Sequence, residues 1–110
     1  MDKKEILKVG HTLQKLFQQR KICVDKIVVF GSYARGKERE NSDIDIIVVS
    51  ENFREKDIFE RVKLTSGIHR ELVKRLKKPV DIMYYSDIEW DSSSSLIINA
   101  AKEEGRVISG

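Results

Sequence analysis

A small mixed β-sheet flanked by helices is the fold class this sequence predicts, and three observations predict it. Helical and strand-like segments alternate along the chain, a pattern of sheet with packed helices. One strand-like run, Ile44 to Val49, is apolar at successive positions apart from a single acid, as expected of a central strand covered on both sides. A long helical stretch separates that run from the next strand, and such crossovers join parallel strands.

Taken in order, residues 2 to about 20 read as a helix, because Ile6, Val9, Leu13, Leu16 and Phe17 recur at helical spacing. Gly10 weakens that pattern slightly. Lys26 to Phe30 holds the β-branched run Ile27-Val28-Val29 and ends at Gly31, a short buried strand. Ile44 to Val49 is the second strand. Residues 56 to 77 return to helical spacing, with Ile58, Val62, Leu72 and Leu76 on one stripe, and Pro79 closes the segment. Val80 to Tyr85 is a third strand. A helix over 92 to 104 is stopped by Gly105, and Arg106 to Ser109 adds a short edge strand. The serines Ser92 to Ser95 read as a helix N-terminus, where hydroxyls satisfy free amides; a phosphate site is the sharper alternative.

With 110 residues there is material for one domain, 1–110, and little for a separate substrate-binding domain. No apolar run is long enough for a membrane span, and the start Met-Asp-Lys-Lys-Glu-Ile lacks the apolar stretch of a signal peptide. With a single cysteine as well, the expected compartment is the cytoplasm. Cys23, between Ile22 and Val24, is expected to be a small buried hydrophobe. A net charge of +3 is too mild to argue for nucleic acid, and no basic stripe is interleaved with aromatics. The dense basic stretch Lys74 to Lys78 reads as a solvated helix end, where cations complement the dipole.

The chemistry concentrates at the second strand, in Ser42-Asp43-Ile44-Asp45. Residues two apart share a strand face, so Asp43 and Asp45 have Cα atoms roughly 7 Å apart on one side. Asp81 lies near the start of the third strand, and parallel neighbours would bring it to the same end of the sheet. Three carboxylates in an apolar sheet repel one another and resist burial. A divalent cation removes that penalty, and hard oxygen ligands select magnesium or manganese. Such a group suits two-metal phosphoryl or nucleotidyl transfer. The bland readings are that Asp43 caps a turn and that Asp81 is an ordinary strand-start acid; Asp45, inside an apolar run, is harder to explain so.

Upstream, Phe30-Gly31-Ser32-Tyr33-Ala34-Arg35-Gly36 supplies a glycine that lets the chain turn after the first strand, then a serine opening a helical turn whose amides suit a triphosphate. Gly-Ser alone is an ordinary turn; its weight comes from facing the acids if the first two strands are antiparallel.

Gly31-Ser32, ten residues, then Asp43-Ile44-Asp45 resembles the signature of the polymerase beta nucleotidyltransferase superfamily, and the string from Gly31 to Val49 resembles its minimal nucleotidyltransferases. Asp81 matches the family's third acid. The resemblance implies a nucleotidyltransferase fold, ATP as donor, Mg2+ or Mn2+ as cofactor, and transfer of AMP with release of pyrophosphate. By it, Gly31 and Ser32 bind the triphosphate, Asp43 and Asp45 ligate metal, and Asp81 ligates metal and orients or deprotonates the acceptor hydroxyl. Arg35 is a candidate phosphate contact, with an exposed turn arginine as the alternative; Lys37 and Arg39 read as loop charges. The resemblance further implies a helical HEPN-type partner, whose tyrosine such antitoxins modify with AMP. Open alternatives are transfer to a small hydroxylated molecule such as an aminoglycoside and a module that neutralises its partner by contact alone. Homo- and hetero-oligomers are both left open. His11 and His69 form no metal-ligand spacing and read as structural or surface. Of Tyr84 and Tyr85 at the end of the third strand, one is expected to pack and the other to border the cleft; Trp90 reads as a packing residue, with stacking on a base or docking a partner as the sharper alternative.

Overall fold

The computed structural model describes residues 3–31 and 43–109. Its elements run α1 (Lys3–Gln19), β1 (Lys26–Phe30), β2 (Ile44–Val49), a 3-10 turn (Glu51–Phe53), α2 (Ile58–Leu64), α3 (Ile68–Leu76), β3 (Val80–Tyr85), α4 (Asp87–Asp91), α5 (Leu96–Glu104) and β4 (Arg106–Ser109). The strands form one mixed sheet in the order β3-β2-β1-β4. β1 is antiparallel to β2, with Val28 opposite Ile47 and Phe30 opposite Asp45. β2 and β3 are parallel, as the crossover predicts, with Ile44 beside Val80 and Asp45 beside Asp81. β4 pairs antiparallel with the other side of β1.

Strand alternation divides the core in two. Ile27, Val29, Ile44, Ile46 and Val48 point to one face and pack on Val9, Leu13 and Phe17 of α1 and on Ile68 and Leu72 of α3. Val28, Ile47 and Val49 point to the other face and meet Trp90 of α4 and Ile98 and Ala101 of α5. The first face is sealed by two helices. Among the described residues, the second is covered by α4 and α5 around Val28, Ile47 and Val49, away from the acidic end of β2 and β3.

The local departures from the sequence reading have physical causes. The stretch 56–77 is two helices, not one. The Thr65 hydroxyl bonds the Arg61 carbonyl at 2.9 Å, and Gly67 takes φ +88, which turns the chain between them. Asp57 and Ser86 each head a capping box, with Glu60 and Glu89 as the returning acids, and so start α2 and the short α4. The helix read over 92–104 is corrected to Leu96–Glu104: Ser92 closes α4, and it is the last serine of the run, Ser95, that caps α5 by accepting from the Ile98 amide. Cys23 is corrected: it is exposed rather than buried. Its backbone, not its thiol, is the part put to use. The Cys23 amide donates to Asn52 Oδ1 at 2.9 Å, and its carbonyl accepts from the Ser50 hydroxyl.

Gly10, a weak point for helix propensity, lies where β4 crosses α1; a Cβ there would sit 3.1 Å from the Ile108 carbonyl oxygen. The stripe assigned to α2 is also corrected, since Ile58 is 71% exposed and Val62 55%. α2 is held instead through Arg61. Its guanidinium donates to the Lys56 and Tyr84 carbonyls at 3.0 and 2.8 Å and pairs with Glu89 at 2.6 Å.

Phe53, in the turn after β2, is fully buried and meets Tyr84 edge-on with ring centroids 5.3 Å apart. Phe53→Ala is expected to destabilise the fold by about 3–5 kcal/mol, the usual cost of deleting a buried aromatic ring. Urea denaturation of the two proteins measures it directly.

Candidate active site

The parallel register sets Asp45 and Asp81 directly side by side on neighbouring strands. Adjacent strands lie about 4.8 Å apart, so the two carboxylates leave the same face at nearly the same height. Asp45 is half-buried, while Asp43, just before β2, and Asp81 are exposed. Burial is the largest influence on the Asp45 carboxyl and raises its pKa; the charges of Asp81 and then Asp43 raise it further. All three acids therefore share one electrostatic neighbourhood.

β1 completes this end of the sheet. Its antiparallel pairing places Phe30 opposite Asp45, so the next residue, Gly31, lies against the acid. Gly31 takes φ +75, and a Cβ on it would overlap Asp45 Oδ2. Glycine is required here twice over, for its backbone angle and for the space it leaves to the carboxylate. Ser32 and Arg35, the remaining phosphate-binding candidates, lie outside the described residues.

Among the described residues, no lysine, arginine or histidine pairs with Asp43, Asp45 or Asp81. Nor do any three acidic, histidine or cysteine side chains there enclose a single point. The arrangement is thus an uncompensated pair with a third acid beside it rather than a closed cage. Its donors are carboxylate oxygens alone, the chemistry of magnesium and manganese ligands, and such ions keep open positions for water and phosphate. The side-by-side carboxylates of Asp45 and Asp81 would suit as fixed ligands, with Asp43 exposed just before β2.

The nucleotidyltransferase domain family matches residues 11–108, nearly the whole chain. The chain belongs to that family. The chain is 41% identical over 66 residues to a protein of Methanocaldococcus jannaschii named "Putative protein adenylyltransferase"; the match covers 59% of this chain and 63% of the relative, under two-thirds of its length. Among solved structures, it resembles a chain from a toxin-antitoxin complex with AMP-PNP at TM-score 0.66 and 26% identity, over 91% of this chain and 72% of the other. A chain from the complex of a tri-AMPylated Shewanella oneidensis HEPN toxin with its MNT antitoxin superposes at TM-score 0.58 and 22% identity, over 96% and 72% of the two chains, a likeness of fold.

His69, read from the sequence as structural or surface, takes a structural role, and Arg61, which the sequence reading passed over, joins it on the outer edge of β3. His69 reaches back from α3 to the Val80 carbonyl at 2.6 Å; a carbonyl only accepts, so Nε2 carries the proton. Arg61 holds the Tyr84 carbonyl from α2. Neither has a local sequence signal, because both act on a strand edge that only tertiary packing defines. Of the aromatics, Trp90 is buried with Lys102 over its ring at 5.2 Å, and Tyr84 packs on Phe17 and Phe53. Burial raises the Tyr84 pKa, and a hydrogen bond with Thr65 partly offsets it.

The raised Asp45 pKa has a definite sign for stability. The cost of keeping Asp45 charged in the folded chain is absent below the ordinary carboxylate range, grows as pH rises through the raised pKa and is complete above it. Without metal at pH 7, Asp45→Asn is therefore expected to melt at a higher temperature than the parent, and the gap should close as pH falls below the carboxylate range. Adding magnesium at a hundredfold over its dissociation constant stabilises a binding protein by about 2.7 kcal/mol. That gain should appear in the parent and vanish in the variant when melts are compared in chelator and in magnesium.

Proposed function

We propose that the protein transfers AMP from ATP to a hydroxyl on a partner protein, with Asp43, Asp45 and Asp81 as the residues that hold magnesium or manganese. The observation that carries this reading is the Asp45–Asp81 pair, side by side on one face with Gly31 turned against it. Family membership supports nucleotidyl transfer. The AMP-PNP held by one similar toxin-antitoxin complex supports an adenine nucleotide, and the AMPylated HEPN toxin of another supports a helical protein acceptor.

In this reading the acceptor oxygen bonds to the α-phosphorus of ATP as the bond to the bridging oxygen breaks and pyrophosphate leaves. A bound divalent ion supplies charge neutralisation and Lewis acidity at the phosphates. Asp81, the outer acid of the row, accepts the acceptor's proton and orients its oxygen. Asp45, half-buried and backed by the core, fixes the donor end, with Asp43 beside it. Gly31 leaves the approach to Asp45 open, and Ser32 and Arg35 are assigned to the triphosphate by their place in the motif.

Labelled ATP with magnesium is expected to mark the helical partner, and Asp45→Asn to slow that marking about a thousandfold, equivalent to about 4 kcal/mol of transition-state stabilisation. Gel autoradiography of partner and enzyme together reads this out. Marking that persists within tenfold in the variant would remove Asp45 from the chemistry. Neutralisation of the partner that survives loss of marking would favour a module acting by contact.

A further inference from the structure

Among the described residues β3 is an edge strand, and on its outward side one residue beside the acids keeps both its N–H and its C=O unpartnered. The amide of Ile44 donates to the Pro79 carbonyl and that of Ser50 to the Tyr85 carbonyl, each at 3.0 Å. In a parallel ladder this phase turns the main chain of Asp81, Met83 and Tyr85 toward β2 and that of Val80, Ile82 and Tyr84 outward. His69 takes the outward carbonyl of Val80, and Arg61 takes that of Tyr84. Ile82, between them, presents both N–H and C=O with no partner among the described residues.

Two clefts of about 360 and 450 Å³ flank this residue, and both are lined by Val62, Ile82 and Tyr84. The larger one reaches Asp81. On the α2 side, Ile58, Phe59 and Val62 are exposed. An unpaired donor and acceptor at strand spacing selects a peptide main chain, since no apolar ligand satisfies it. An edge that runs straight into the acidic site selects a peptide that delivers the acceptor.

We infer that an extended segment of the acceptor protein bridges to Ile82 at the free edge of β3, adding one position to the row Asp45–Asp81. This inference rests on the protein-acceptor reading above. The segment residue opposite Ile82 points with Ile82, into the apolar cleft beside Val62 and Tyr84. Its sequence neighbour, opposite Asp81, points to the acidic face, one strand spacing from that carboxylate. The acceptor therefore carries its hydroxyl residue directly next to an apolar residue. His69 and Arg61 limit the bridge to a single residue by occupying the carbonyls on either side.

The test uses the intact protein, labelled ATP, magnesium and soluble peptides with one central tyrosine flanked by varied residues. Peptides with leucine, isoleucine or valine adjacent to the tyrosine are expected to take label at least tenfold faster than those with lysine, aspartate or glycine there. N-methylation of that apolar residue's amide should cut labelling at least tenfold with no change to the protein. Ile82→Pro removes the outward donor while leaving the ladder to β2 intact, since proline is tolerated where an edge amide faces outward. It should lose peptide labelling at least tenfold more severely than Ile82→Ala, which truncates the same side chain and keeps the amide; melting curves confirm that both fold. Labelling indifferent to the neighbour and to N-methylation overturns the inference. Pyrophosphate release with no label on any peptide overturns it too, yet leaves nucleotidyl transfer standing. No turnover of ATP under any condition removes both.

Discussion

The repulsion between two carboxylates held side by side is the constraint around which this fold is arranged. Unit charges about 5 Å apart repel by on the order of 1 kcal/mol in bulk water and by several times that where solvent is partly excluded. A six-residue parallel ladder holds Asp45 and Asp81 on adjacent strands, about 4.8 Å apart in the backbone, with β2 buried on both faces. No cation among the described residues relieves them. A fold that merely needed a stable sheet would not place acids there. The rigidity that makes the pair costly also fixes the two acids in advance, as the proposed metal-holding role requires.

The acids also help to fix the sheet. β2 is apolar on both faces, so its hydrophobic pattern alone would resist a one-residue slip only weakly. A slip would turn Asp45 into the face sealed by α1 and α3, where Phe17, Ile46 and Leu72 are fully buried. A charge cannot be left there unpaired. A one-residue slip is thereby excluded, and the observed register leaves both acids on the face away from α1 and α3.

Much of this was legible in the residues. The β-branched runs of β1 and β2, the single acid inside an apolar strand and the length of the helical crossover announce the sheet, its mixed sense and the meeting of Asp45 with Asp81. Helical periodicity places α1 within a residue or so at each end. Other features depend on contacts far apart in sequence. That β4 lies beside β1 leaves β3 at the edge, and nothing local to Val80–Tyr85 encodes this. The exposure of Cys23 depends on the turn at Ser50 and Asn52 gripping its backbone from 27 and 29 residues away. Ile58 and Val62 have helical spacing without a core to meet, because Arg61 anchors α2 by polar links. The break at Gly67 and the capping boxes at Asp57 and Ser86 do have local signatures, Thr-Ser-Gly and an acid three residues after the cap, that a long periodic stretch hides.

The mixed sense of the sheet is what the site requires. In doubly wound parallel sheets, ligands gather beyond the carboxyl ends of the strands, where turns and helix starts meet them. Here Asp45 and Asp81 stand at the amino ends of β2 and β3, the wrong end for such a turn if every strand ran the same way. Reversing β1 resolves the conflict, because its carboxyl end then arrives at the amino end of β2 and Phe30 pairs with Asp45. Gly31 is delivered against the carboxylate by that pairing alone. The turn at Gly31 and the acids belong to different strands with opposite directions. Parallel pairing of β2 with β3 then adds the second acid at the same height. One antiparallel and one parallel neighbour for β2 are thus the least topology that brings a strand-ending turn and two strand-starting acids to one place.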